Sequence, residues 1–196
     1  METWTIGEDM TAPFDQMIDG MPAPLVTASA LDLHFGRRAV LSEIDLAVAP
    51  GEVHGVLGPR GCGKSVLLGV LAGDLKPSAG SVSAPGAVLI ADENGASLAL
   101  ARALAGSPLV LLVDEPSSGF DAATRVAVRE LVARHARRGG AALWATRRLD
   151  ALHGVARTLT LLAGGRTRYT GSVEALVLRS LAESAEDVAD RLDRAA

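Results

Sequence analysis

The sequence predicts a three-layer α/β domain with a mostly parallel sheet and, beside it, an antiparallel β portion supplied by residues 25–57. Three observations lead there. An apolar run at 53–57 feeds the octapeptide Gly58-Pro59-Arg60-Gly61-Cys62-Gly63-Lys64-Ser65, and a second apolar stretch at 66–71 follows it. The segment Leu109-Val110-Leu111-Leu112-Val113 is apolar at every position and ends in Asp114-Glu115, as a strand covered on both faces by helices must be. Segments 25–34 and 41–48 instead alternate apolar and polar residues, the period of a half-buried strand.

The octapeptide reads G-x-x-x-x-G-K-S between a strand and a helix, the setting of a phosphate-binding loop. Its glycines let backbone N–H groups turn inward around an anion, and the helix N-terminus adds its positive dipole end. Residues Gly58, Pro59, Arg60, Gly61, Cys62, Gly63, Lys64 and Ser65, with Val66 opening the helix, form the cradle. Lys64 reaches the outer phosphates and the Ser65 hydroxyl sits on a magnesium ion. The chain has two lysines, Lys64 and Lys76, against seventeen arginines. A lysine at this position in so lysine-poor a chain fits its role as a compact point charge.

Composition bounds the rest. A length of 196 residues suits one domain with a real core. The formal net charge of −4 gives no basic field for nucleic acid, so no nucleic-acid partner is expected. The single cysteine, Cys62, excludes an internal disulfide and a multi-cysteine metal site and suits a reducing compartment. Inside the loop it reads as a small filler more readily than as a redox sensor. No run approaches about 18 apolar residues, the length of a membrane helix, so a soluble protein is expected.

The elements follow in order. Residues 1–24 carry five acidic residues, three prolines and no lysine or arginine, which reads as a poorly ordered acidic tail and not as a secretory segment. A nucleotide-binding domain spans 25–171. It opens with strand 25–34, the turn Gly36-Arg37-Arg38 and strand 41–48. Pro50-Gly51 turns the chain into 53–57, and 73–80 is a loop rich in turn residues. Asp121 caps a helix to about Arg138 with Val126, Leu131 and Val132 on its apolar side. Gly139-Gly140 stops it before a buried strand at 141–146. Segments 159–163 and 166–169 flank Gly164-Gly165 as a hairpin. Residues 172–196 form an amphipathic helix packed on the domain, with Val173, Leu176, Val177, Leu181, Val188 and Leu192 at helical spacing.

Leu33-His34-Phe35-Gly36, Leu41-Ser42-Glu43-Ile44-Asp45-Leu46 and Gly51-Glu52-Val53-His54-Gly55-Val56-Leu57-Gly58 resemble the opening of an ATP-binding cassette (ABC) transporter ATPase, a P-loop NTPase fold. The likeness continues through 67–80. The resemblance implies that Phe35 stacks on adenine; a core phenylalanine at a strand end is the other reading of that residue. It makes Asp114 the magnesium partner and Glu115 the base that polarises the attacking water, roles that suit two adjacent carboxylates. Pro116-Ser117-Ser118-Gly119-Phe120-Asp121 is similar to the family's loop between two nucleotide sites. The implied ligands are ATP and Mg2+. The implied partners are a second cassette ATPase domain and a membrane permease, which places the chain in the cytoplasm at the membrane's inner face.

The chain departs from that family between its early sheet and Asp114. Only 81–107 is available for the glutamine-bearing loop, the helical subdomain and the signature, and it contains no glutamine. The helix that follows the family's signature survives as Ala101-Arg102-Ala103-Leu104, but the signature's place holds Ile90-Ala91-Asp92-Glu93-Asn94. Carboxylates there repel a triphosphate. The switch histidine is replaced by Arg147, which neutralises a γ-phosphate without titrating near pH 7, or is a surface arginine. The expectation is an ATP-binding subunit, internally shortened, with weak or partner-dependent hydrolysis. The alternatives are a non-transport nucleotide-binding regulatory module and a non-hydrolysing degenerate relic.

Overall fold

Alternation in the N-terminal segments closes into an antiparallel pair, β1 (Val26–Phe35) and β2 (Arg38–Val48), in a computed structural model that describes residues 23–91, 104–115 and 122–180. Residues 1–22, and with them nearly all of the acidic tail, lie outside the described residues. β4 (Ala79–Ser83) adds to the other edge of β1. The turn-rich loop therefore ends earlier than its composition suggests, because Ala79 and Gly80 join this strand. The β1–β2 ladder is irregular, and two carboxylates patch it. Asp45 Oδ1 accepts the Ala30 N–H at 2.8 Å, and Asp32 Oδ1 accepts the Glu43 N–H at 2.8 Å.

The second sheet has six strands in the order β5-β6-β7-β3-β8-β9. They are β3 (Val53–Leu57), β5 (Ala87–Ala91), β6 (Val110–Asp114), β7 (Ala141–Thr146), β8 (Thr158–Ala163) and β9 (Arg166–Ser172). All neighbours run parallel except β9, which returns antiparallel on β8 as the expected hairpin. Three corrections follow. The antiparallel portion stops at Val48, because β3 lies between β7 and β8 inside the parallel sheet. Ile90-Ala91 is not a signature loop but the end of β5, in register with Val113 and Asp114; Asp92, Glu93 and Asn94 lie outside the described residues. Leu109 precedes β6 and is 51% exposed, so the buried run starts at Val110.

Four helices cover this sheet among the described residues: α1 (Lys64–Ala72), α2 (Ala122–Arg137), α3 (Leu149–Leu152) and α4 (Val173–Ser180). Because side chains alternate across a strand, one face of the sheet presents Val110, Leu112 and Leu143 to α1, whose Leu67, Leu68 and Leu71 also meet Leu31, Leu41 and Ile44 of the small sheet. The other face presents Leu111, Val113 and Trp144 to α2, α3 and α4. Helix α2 buries Val128, Val132 and Ala136, an i, i+4, i+8 stripe, whereas Val126 is 66% exposed and does not belong to its apolar side. The Asp121 cap lies outside the described residues. α4 buries Val173 and Leu176 in the second core, while Leu181, Val188 and Leu192 lie outside the described residues.

A half-buried carboxylate and a buried histidine give the fold an acid-side limit. Glu52 is desolvated, which raises its pKa, but hydrogen bonds from His54, Thr158 and the Ala49 N–H outweigh this and leave it below 4.5. His135 has its pKa lowered from 6.5 by burial, against the pull of the Ala141 and Leu109 carbonyls. Below about pH 6.5 the unfolded chain takes up the His135 proton that the folded chain resists, so stability falls with pH there; Glu52 adds its own loss only below about 4.5. Urea midpoints should drop between pH 7.5 and 5.5, and a His135→Gln variant should flatten that drop. An unchanged slope in the variant would remove His135 from the account.

Candidate functional site

The 58–65 loop leaves the C-terminal end of β3 and enters α1. Its first N–H, from Gly58, donates to the Thr146 carbonyl at 3.3 Å, and the helix begins with the Leu67 N–H donating to the Gly63 carbonyl at 2.8 Å. Gly63 has φ +108, where an L side chain is strained, and a Cβ there would lie 2.7 Å from Leu41 Cδ2 and 3.1 Å from the Val40 carbonyl oxygen. The loop thus turns back against β2, which only glycine permits. Arg60 and Gly61 form its exposed tip, and Ser65 is also exposed.

Cys62 is buried, with its Sγ filling the space over Gly58. Burial raises the thiol pKa above 9.0 against the opposing charge of Lys64. That makes it a poor thiolate and supports the filler reading.

Lys64 is buried, although its type is rarely so unless paired. Its Nζ donates to the Gly58 carbonyl at 2.8 Å and the Pro59 carbonyl at 3.0 Å, and lies 3.6 Å from Glu115 Oε1. Arg147 Nε lies 3.5 Å from the same Glu115 oxygen. The loop and the acidic strand end, fifty residues apart in the chain, therefore meet through one carboxylate held between two cations. β6 and β7 set this geometry. They run parallel in register, with Asp114 opposite Ala145, and the Glu115 N–H donates to the Ala145 carbonyl at 2.9 Å. Glu115 itself has φ +46, a left-handed conformation that costs about 1–2 kcal/mol in a non-glycine residue. Strain of this kind is typical of functional sites.

Asp114 Oδ1 is buried and has no hydrogen-bond partner among the described residues. A buried carboxylate oxygen without a donor is the arrangement a cation completes. Among the described residues no cluster of three or more His, Cys, Asp or Glu side chains stands ready as an all-protein cage. One carboxylate and one hydroxyl, Asp114 and Ser65, are instead what a magnesium ion uses when phosphate oxygens and water supply its other positions.

Phe35 ends β1 opposite Arg38 and is 53% exposed, so it is not a core residue. The same hairpin brings Val40 and Leu41 against the loop at Gly63, which puts Phe35 at the loop's side of the domain. Pattern reading overlooked Thr146. It closes the buried strand β7, accepts the Gly58 N–H on its carbonyl and accepts the Arg148 N–H on Oγ1 at 3.1 Å. It thereby ties the base of the loop to the turn that carries Arg147. Its position as the one polar residue ending the apolar run 141–146 was the available signal. The segment Pro116 to Asp121 lies outside the described residues.

Comparison with known proteins gives a consistent result. Residues 41–94 match the family model described as ABC transporter. The chain is 33% identical over 169 residues to an aliphatic sulfonates import ATP-binding protein, SsuB 3, of Paraburkholderia xenovorans, covering 58% of this chain and 68% of that protein. It is 32% identical over 178 residues to SsuB 1 of Xanthomonas axonopodis pv. citri, covering 56% and 71%. A shorter match, 50% over 62 residues, joins it to the hemin import ATP-binding protein HmuV of Pseudomonas entomophila and covers 32% and 24%. The two longer matches extend over 169 and 178 aligned positions but use only 58% and 56% of this chain's 196 residues, so gaps fall within this chain. The fold is similar to that of a solved ATP-binding subunit of an ABC transporter, with TM-score 0.70, 16% identity, and coverage of 86% of this chain and 99% of that one. A nucleotide-free cassette from an ABC transporter matches with TM-score 0.69, 16% identity, and coverage of 87% and 95%.

Proposed function

Since the chain belongs to the ATP-binding subunits of the ABC transporter family, we propose that it binds Mg-ATP at the 58–65 loop and hydrolyses it weakly, or only with a partner. The observation that carries this reading is the convergence of Lys64, Glu115 and Arg147 beside the orphaned oxygen of Asp114.

Each residue has a defined task. The aromatic face of Phe35 stacks on the adenine. The loop amides receive the phosphates, and Lys64 exchanges the Gly58 and Pro59 carbonyls for phosphate oxygens. Asp114 and Ser65 would hold a magnesium ion, which would supply charge neutralisation to the phosphates. Phosphate competes with Glu115 for Lys64 and Arg147, and the freed carboxylate accepts a proton from the attacking water. Arg147, whose charge does not titrate at neutral pH, takes the γ-phosphate side.

The sequence offers no signature of its own, so two copies would have two phosphate loops and no donor for either γ-phosphate. The fitting partner is a complete cassette domain, with this chain supplying one hydrolytic site, and beyond it a permease at the cytoplasmic face of a membrane. Among the described residues no helix is long and apolar enough to cross a membrane. The relatives are named for different cargoes, sulfonates, hemin and ribose, and none is carried over here.

The test is phosphate release from Mg-ATP. The chain alone should sit near background, addition of a complete cassette subunit should raise the rate, and Glu115→Gln should return it to background while nucleotide still binds. Fast hydrolysis by the chain alone, or full activity with Glu115→Gln, would overturn the assignment.

A further inference from the structure

A cavity of about 360 Å3 lies at the opposite end of the parallel sheet from Lys64 and Glu115, between the segment entering β6 and the C-terminal end of α2. Strand β6 runs from this cavity to the nucleotide site, a span of about 17 Å for five residues, so the two places do not share side chains.

The lining is divided in character. Leu104, Leu109 and Leu131 form an apolar wall, and Leu109 keeps half its surface exposed there. Facing them, Arg134 and Arg138 stand four residues apart on one side of α2 and its end. Neither side chain has an ion-pair or hydrogen-bond partner among the described residues, whereas Arg137 pairs with Glu130 at 2.6 Å, Arg148 with Asp150 at 2.6 Å and Arg166 with Glu43 at 2.7 Å. Among the described residues no carboxylate lines the cavity. The floor is the buried ring of His135, whose Nε2 lies 3.3 Å from the Ala141 carbonyl oxygen. A Cβ on Gly140 would collide with that ring, so glycine at 140 is what lets the floor form.

Arginines in a last helical turn also complement the helix dipole. That accounts for their sign, but not for an open apolar wall within their reach. Two adjacent guanidiniums repel each other and are planar forks suited to a carboxylate or similar oxyanion. Beside them, exposed Leu109 and the faces that Leu104 and Leu131 do not pack on the second core offer an apolar wall to an alkyl or small aromatic body, and the volume is at the small end of ligand sites.

We propose that this cavity is a second binding site, for a small amphiphilic organic anion whose head pairs with Arg134 and Arg138 and whose apolar body lies on Leu104, Leu109 and Leu131. This site is independent of the nucleotide assignment, which stands or falls at Lys64.

The test uses the full chain and sodium octanoate as the probe, titrated calorimetrically below its micelle concentration. One site per chain is expected. The double variant Arg134→Gln/Arg138→Gln should weaken binding at least tenfold, and Leu109→Ser should weaken it several-fold. Inorganic phosphate alone should bind far more weakly than octanoate, and Lys64→Met should leave octanoate binding intact. Both arginine substitutions are on the surface, and a matching circular dichroism spectrum and melting temperature confirm folding. No octanoate binding, several weak sites per chain, or binding that the arginine pair does not affect would overturn the proposal.

Discussion

Lys64→Met should raise the dissociation constant for Mg-ATP by at least about 100-fold, while the melting temperature changes little. The argument begins with burial. A lysine this enclosed is held in place by the Gly58 and Pro59 carbonyls and by Glu115, so its ammonium is already positioned where phosphate oxygens arrive. Charge-assisted hydrogen bonds of this kind are worth about 1.5–3 kcal/mol each, and loss of two spans about a hundredfold to ten-thousandfold in affinity. Methionine keeps the unbranched apolar stem and removes the ammonium together with its hydrogen bonds to the Gly58 and Pro59 carbonyls. Calorimetric titration of Mg-ATP into wild type and variant reads the difference directly. Equal affinities would mean that the loop does not hold the triphosphate, whatever its motif. Failure of the folded wild type to bind at all would sink the nucleotide reading and leave the octanoate test untouched.

Trp144→Ala should be the most damaging single change to the fold, with a loss of about 3–5 kcal/mol. Trp144 is the largest fully buried side chain among the described residues. It stands in β7, in register with Gly55 of β3 and Val113 of β6, and fills the core under α2, α3 and α4. A domain has about 5–15 kcal/mol of stability in all, so this variant should be largely unfolded at 37 °C. Trp144→Phe should cost far less, about 1–2 kcal/mol. The indole Nε1 is buried without a hydrogen-bond partner among the described residues, so the replacement also removes an uncompensated polar group. Denaturant midpoints measure both. If phenylalanine proved as harmful as alanine, the indole N–H would have to be making a bond, and this account of the core would be wrong.

The same two residues mark how far the sequence could be read. The strand–loop–helix around Lys64 was legible without any structure because the motif is local: eight consecutive residues carry it, and the flanking apolar runs announce the strand and helix. Asp114-Glu115 was legible for the same reason, as carboxylates closing a run too apolar for anything but a buried strand. The β8–β9 hairpin followed from its two glycines. Membership in the ABC transporter family, carried by stretches between Leu33 and Gly80, was likewise written in consecutive residues and agrees with the matches to known proteins.

Strand order was not written there. Nothing local tells Val53–Leu57 that it will lie between β7 and β8, or tells the weakly apolar Ala87–Ala91 that it will edge the parallel sheet beside β6. Those placements depend on pairing between segments tens of residues apart. Helical spacing alone allowed either Val126 or Val128 to face inward, and only the position of α2 against the sheet selects Val128. The sequence left Arg147 as a switch-position residue or a surface arginine, and the parallel register of β6 and β7 places its half-exposed side chain 3.5 Å from Glu115. Leu109 was apolar and next to a buried strand, yet it opens on the cavity with Arg134 and Arg138 because α2 ends there. Chemistry held within one loop or one strand end is determined by the sequence through backbone geometry. Chemistry assembled from distant segments is decided by the tertiary structure, since strand order and helix placement set which side chains share a space.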